Sequence, residues 1–178
     1  MARNSILAVL VYVFHKDEGS EESSKESSEQ VLLIHRNTRD LSRDDHAGKW
    51  NGLGGKCEKD EALLTTAARE LFEESGLRVP ESRFKFLGFL QFPNFKPHKD
   101  EDWNVGVFSV EATNAERSAP LVKCSEGTLH WIAIQKVSTL PFWPGDEKFL
   151  PHVFKREPFF GVIRYAEGEV IGADIRRI

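Results

Sequence analysis

Residues 55–77 read GKCEKDEALLTTAARELFEESGL, and the rest of the chain is arranged around them. Asp60 offers a helix N-cap and Gly76 a helix C-terminal stop, so the stretch predicts one helix between them. Leu64, Ala67, Ala68, Leu71 and Phe72 fall on one stripe of that helix and should pack on a sheet. Glu70, Glu73 and Glu74 fall together on another side, spaced three and four apart. Like charges at this spacing cost roughly 0.2–0.5 kcal/mol per pair. A cation held between them would offset that cost, and hard divalent cations prefer oxygen ligands. Arg69 stands four residues before Glu73 and is expected to orient the carboxylates rather than touch a ligand.

Just upstream, Trp50-Asn51-Gly52-Leu53-Gly54-Gly55-Lys56 is a glycine-rich turn. Three glycines in four positions point to unusual backbone angles or close approach to a ligand. Ser5 to Phe14 reads as a buried strand, and Val31 to His35 as its antiparallel partner, with Arg36 at the end. Between them, Asp17 to Gln30 holds only Ser, Glu, Lys, Gly, Asp and Gln, so it is expected to be a mobile surface insertion. Residues 37–49 read as a polar loop. Phe84 to Phe92 and Asp102 to Ala112 read as strands joined by a polar loop with Pro93 and Pro97, and Trp103 near its end. Leu129 to Ile134 reads as a further strand. A short helix runs from Asp146 to about Val153, with Pro151 in its first turn or at a kink. Phe159 to Tyr165 and Glu169 to Ile175 form a hairpin around Ala166-Glu167-Gly168. The pattern predicts an α/β chain with a mixed sheet and helices on its faces, in one domain over residues 1–178.

Composition narrows the partners. A net charge of −4 and a pI near 5.9 argue against a general nucleic-acid binder, which needs a basic surface. A small anionic ligand stays compatible, because a bound metal supplies local positive charge. Cys57 and Cys124 have no paired-motif spacing, which fits a reducing cytoplasm better than a disulfide framework. The histidines show no His-x-x-x-His spacing, so zinc is not indicated. The apolar run from Ile6 to Phe14 has no cleavage site after it, and spanning a bilayer takes about 20 residues. No membrane association is expected. Monomer and homodimer both fit the chain.

The segment also has fixed spacing. Gly55 is followed after five residues by Glu61, then after seven by Arg69-Glu70-Leu71, then by Glu73-Glu74 and Gly76-Leu77. This resembles the Nudix box, the signature of hydrolases that cleave nucleoside diphosphates linked to another group. Every fixed position is filled. The resemblance implies an α/β/α sandwich with a mixed sheet. The turn at 50–56 is similar to that of MutT-type diphosphatases, especially those that sanitise oxidised purine nucleotides. So are Glu126 standing five residues before Trp131, Trp131 standing twelve before Trp143, and the element Trp143-Pro144-Gly145-Asp146.

Carried over residue by residue, the resemblance assigns magnesium, or manganese in its place, to Glu70, Glu73, Glu74 and the carbonyl of Gly54. Glu126 would be a further ligand or the general base, and Glu70 is the other candidate base. Lys56 would lie near the phosphates, and Arg36 near phosphate or sugar. Asn51 and Asp146 would hydrogen-bond the base edge, Trp143 would stack on it, and Phe92 is a second wall. The implied reaction is hydrolysis of a purine nucleoside triphosphate, such as 8-oxo-dGTP, to monophosphate and pyrophosphate. One position departs from the pattern: the family's element has two adjacent aspartates, and the first is Gly145 here. A nucleotide sugar, ADP-ribose or a capped RNA end is the alternative substrate. A non-catalytic nucleotide-binding domain is the alternative of another class, though such domains usually lose box glutamates.

Overall fold

A strand with no polar alternation needs cover on both faces, and β1 (Asn4–Lys16) has it. Val9, Val11 and Val13 point to one side, into a core with Leu53, Ala67, Leu71, Phe108 and Val110. Ala8, Tyr12 and Phe14 point to the other, into a core with Leu90, Val107, Phe149, Val153 and Ile163. The chain is therefore an α/β sandwich with a mixed sheet between helical layers. The computed structural model describes residues 3–16, 29–36, 48–96, 99–167 and 169–178.

After β1 come β2 (Glu29–Arg36), β3 (Trp50–Asn51), α1 (Leu63–Ser75), β4 (Lys85–Lys96), β5 (Glu101–Glu111) and α2 (Asn114–Ser118). Then follow β6 (Gly127–Ala133), α3 (Ile134–Val137), α4 (Asp146–Lys155), β7 (Phe159–Ala166) and β8 (Glu169–Arg177). Sheet order is β3-β2-β1-β5-β4-β7-β8, with β6 also pairing with β2. The β1–β5 and β4–β7 pairs are parallel and the rest antiparallel. β2 pairs with β1 only through residues 29–32, while its ladder with β6 runs on to Arg36. The glycine-rich turn fills the gap this leaves. Val11 and Leu53 exchange backbone hydrogen bonds, Val9 N–H donates to the Gly55 carbonyl at 2.9 Å, and Cys57 N–H donates to the Leu7 carbonyl at 2.9 Å. The turn is thus laced to the central strand.

Several expectations change. The helix begins at Leu63, with Ala62 as a cap that offers no side chain, not at Asp60. The reason lies in Glu61, whose carboxylate accepts from Glu58 N–H and Thr66 Oγ1 and so draws residues 58–62 into a turn. Asp60 sits at φ 62°, outside helical geometry. Gly76 ends α1 in the left-handed region at φ 79°, as expected. Ala67 and Leu71 are buried, but Phe72 is exposed and lies under the Arg78 guanidinium.

The polar loop expected between β4 and β5 is mostly strand. β4 runs through Pro93 to Lys96, a register shift between Phe92 and Lys96 accommodates the proline, and Trp103 pairs with Phe92 inside β5. Pro151 lies well past the first turn of α4, which continues to Lys155. The short helices α2 and α3 have no counterpart in the sequence reading. Residues 17–28 of the acidic insertion, residues 37–47, Pro97 and Gly168 lie outside the described residues. Glu29 and Gln30 belong to β2. Among the described residues, no helix is long and apolar enough to cross a membrane.

Candidate active site

Gly54 is the hinge between the turn and the carboxylate helix. Its φ of 144° is one that L side chains rarely adopt, and a Cβ there would collide with the Val9 carbonyl. Its N–H donates to Glu74 Oε2 at 2.8 Å. Glu74 is buried in the last turn of α1. Burial raises its carboxyl pKa to about 7, with the charges of Glu126 and Glu70 pushing the same way and the Gly54 N–H pulling back. Gly55 leaves room for Glu70, whose carboxylate lies where a side chain on residue 55 would go. Burial raises Glu70 too, opposed by Arg69 and reinforced by Glu73 and Glu126. Gly54→Ala is therefore expected to cost roughly 1–3 kcal/mol from strain, with the collision adding to it, read by urea unfolding.

Arg69 holds the helix to the turn. Its guanidinium reaches Glu61 at 2.8 and 2.9 Å, Glu70 at 2.8 Å, Glu73 at 3.1 Å and the Lys56 carbonyl at 3.2 Å. This contact holds the Glu61 carboxyl down at about 2. Sequence spacing pairs Arg69 with Glu73; it does not point to Glu61, which shares two bonds with the guanidinium. Arg69→Lys is expected to lose about 1–3 kcal/mol in urea unfolding, since an ammonium cannot bridge this many acceptors in one plane.

Glu126 arrives from another direction. The β2–β6 ladder pairs Arg36 with Gly127, which sets Glu126 beside the Arg36 guanidinium, and the two form an ion pair. Glu126 and Glu73 are about half exposed, while Glu70 is largely covered. Among the described residues, no three acidic, histidine or cysteine side chains already converge as a metal cage. Each carboxylate is instead already engaged: Glu70 and Glu73 share Arg69, Glu126 pairs with Arg36, and Glu74 accepts the Gly54 N–H. Glu70, Glu74 and Glu126 nonetheless form a focus of negative charge, since the charge of Glu126 raises the pKa of both Glu70 and Glu74. That set of oxygen donors fits a hard divalent cation.

A cavity of about 530 Å³ opens from this focus. Arg36, Asn51, Gly54, Lys56, Glu70, Glu126, Trp143 and Asp146 all line it, so most of the residues singled out in the sequence meet in one space. Arg69, Glu73 and Glu74 do not reach its wall. Asn51 lies in β3, paired with Ile34, and its Oδ1 accepts from Gly52 N–H at 2.8 Å. Asp146 is the first residue of α4 and is buried, with Oδ2 lacking a partner among the described residues. Lys56 sits 3.9 Å from Glu101 and over the Trp103 ring.

Phe92, Phe95, Trp103 and Tyr165, in ring contact with one another, form an aromatic cluster on the cavity wall. Sequence reasoning misses Phe95, Trp103 and Tyr165 as cavity residues, Phe95 because residues 93–101 read as loop. Strict alternation would put Phe95 on the face opposite Phe92; the register shift between Phe92 and Lys96 brings the two rings to 5.5 Å, which no periodicity announces.

A mixed-sheet α/β sandwich carrying this helix and turn defines the Nudix hydrolase class. The NUDIX domain family matches residues 7–153, and the chain belongs to it. It is 28% identical over 131 residues to the oxidized purine nucleoside triphosphate hydrolase of Danio rerio, covering 70% of this chain and 75% of that one. It superposes on a MutT protein from Bacillus halodurans with a TM-score of 0.72, at 22% identity, covering 96% of this chain and 97% of that one. The NUDIX domain of Shewanella oneidensis NrtR, solved with ADP-ribose, gives a TM-score of 0.64 at 16% identity, covering 86% of this chain and 89% of that one.

Proposed function

We propose that the protein hydrolyses purine nucleoside triphosphates, oxidised forms such as 8-oxo-dGTP included, to monophosphate and pyrophosphate. The observation that carries this reading is the mixed lining of the cavity. Its wall carries Glu70 and the Arg36–Glu126 ion pair together with Trp143, Asp146 and an aromatic cluster of Phe92, Phe95, Trp103 and Tyr165, with Lys56 over the Trp103 ring. A nucleotide asks for both kinds of group, charged ones for its phosphates and aromatic ones for its base. The name of the Danio rerio relative supports the same substrate class.

Glu70, Glu74, Glu126 and the Gly54 carbonyl would hold magnesium, or manganese, with Glu73 at the outer side. The ion supplies charge neutralisation at phosphate oxygens and a lowered pKa for the attacking water. Arg69 keeps Glu70 and Glu73 oriented. The water's proton passes to Glu70 or Glu126, the two glutamates on the cavity wall. Arg36 and Lys56 neutralise the phosphate chain. Trp143 stacks on the base, while Asn51 and Asp146 meet its edge.

The test is a panel with magnesium: common dNTPs and NTPs, 8-oxo-dGTP, ADP-ribose and nucleotide sugars, with products resolved. Pyrophosphate and monophosphate from purine triphosphates are expected. Turnover confined to ADP-ribose or nucleotide sugars would replace this reading. Binding without any turnover would make the chain a silent nucleotide-binding domain.

A further inference from the structure

Gly145 caps α4 at φ −70° and ψ −34°, a conformation open to any residue. What glycine provides there is space. A Cβ on residue 145 would collide with the Tyr165 hydroxyl and stand 2.9 Å from its ring carbon Cζ. Tyr165 comes from β7, a strand that follows α4, just past a register shift against β8. Phe95, edge-on at 5.4 Å, and Phe92, tilted at 6.4 Å, hold its ring. The hydroxyl thus fills the place that a side chain on residue 145 would take, next to Asp146, and both Tyr165 and Asp146 line the cavity.

These two groups are complementary. The Gly145 backbone donates toward the phenol oxygen, and burial together with the Asp146 charge holds the phenol in its protonated form, so its O–H is a standing donor. Asp146 interacts with the Trp143 backbone and keeps one buried oxygen, Oδ2, without a partner among the described residues. A single free acceptor beside a donor suits a base edge with one ring N–H next to a carbonyl. An amino group in that place would bring a second N–H with nothing to receive it.

Building on the purine triphosphate reading, we infer that Tyr165 is a specificity-determining residue. Its hydroxyl donates to the carbonyl of a lactam edge, as in hypoxanthine or guanine, while Asp146 Oδ2 accepts the adjacent N–H. The departure at Gly145 is then one half of an exchange in which a phenol replaces a carboxyl.

The probes are inosine triphosphate and purine riboside triphosphate, which differ only at that edge. Wild-type enzyme should favour inosine triphosphate in kcat/KM by at least roughly tenfold. Tyr165→Phe should lower the ratio several-fold, through KM rather than kcat, leaving the share that Asp146 contributes by accepting the N–H. Because both substrates are measured on the same preparation, partial misfolding leaves the ratio unmoved. Inhibition by tripolyphosphate, which reports the phosphate end alone, should persist in the variant. Gly145→Ala, which displaces the hydroxyl without removing it, should lower the ratio to the same level, and adding Tyr165→Phe should then change nothing more. An unchanged ratio in Tyr165→Phe, or no preference in the wild type, overturns the inference while leaving the hydrolase reading in place. Absence of purine triphosphate turnover overturns that reading, and this inference with it.

Discussion

Glu74→Gln should reduce magnesium-dependent hydrolysis on the order of 10³-fold while leaving the fold intact. The side chain is buried at the end of α1 and accepts the Gly54 N–H at 2.8 Å. Glutamine preserves an acceptor oxygen of the same reach, so the hinge between turn and helix survives. What disappears is the negative charge. Burial and the charges of Glu126 and Glu70 already disfavour that charge in the metal-free protein, and the carboxyl is raised to about 7. The metal-free variant should therefore unfold at or above the wild-type temperature at pH 8. A cation that binds only the folded wild type at 100 times its Kd adds about 2.7 kcal/mol of stability, and the variant should lose most of that gain. Steady-state turnover and thermal unfolding with and without magnesium separate the two effects. Near-normal activity with an unchanged magnesium response would remove Glu74 from the metal site.

Much of this site is legible because its residues are local in sequence. Glu70, Glu73 and Glu74 share a helix, and Gly54 and Gly55 precede it, so spacing alone places them together. The ladder that sets Glu126 beside Arg36 is a long-range pairing, and no periodicity announces it. The family resemblance has to supply it. Residues that stay hidden are those whose role depends on distant partners. Tyr165 reads as an ordinary strand residue until the collision with residue 145 gives it a position. The helix start shifts for a related reason: Asp60 has the right chemistry for a cap, but Arg69 claims Glu61 from two helical turns further on and reshapes the approach. Local propensity loses to a charged network that the linear sequence does not display.

Asp146→Asn should stabilise the protein above neutral pH and weaken it as an enzyme. Burial raises the Asp146 carboxyl from 3.8 to about 7, with Glu147 adding to the rise and the Trp143 backbone and Lys49 opposing it. The folded state therefore binds this proton more tightly than the unfolded chain does. Its contribution to stability is complete below about pH 4, falls as pH rises, and is gone above about pH 7. A rise of that size corresponds to roughly 4 kcal/mol across the window. Asparagine has the same shape and no charge to desolvate. The stability difference between variant and wild type should be near zero at pH 4 and approach that value at pH 8, in urea unfolding at each pH. The same substitution places an N–H₂ donor or a neutral carbonyl where the buried Oδ2 acceptor stood. KM for purine triphosphates should rise about ten- to hundredfold as stability rises. A stability difference that is equal at both pH values would mean Asp146 is not under this strain. The opposite movement of stability and affinity would identify a carboxyl kept at the floor of the cavity for recognition, at a cost to the fold that packing on both faces of β1 sustains.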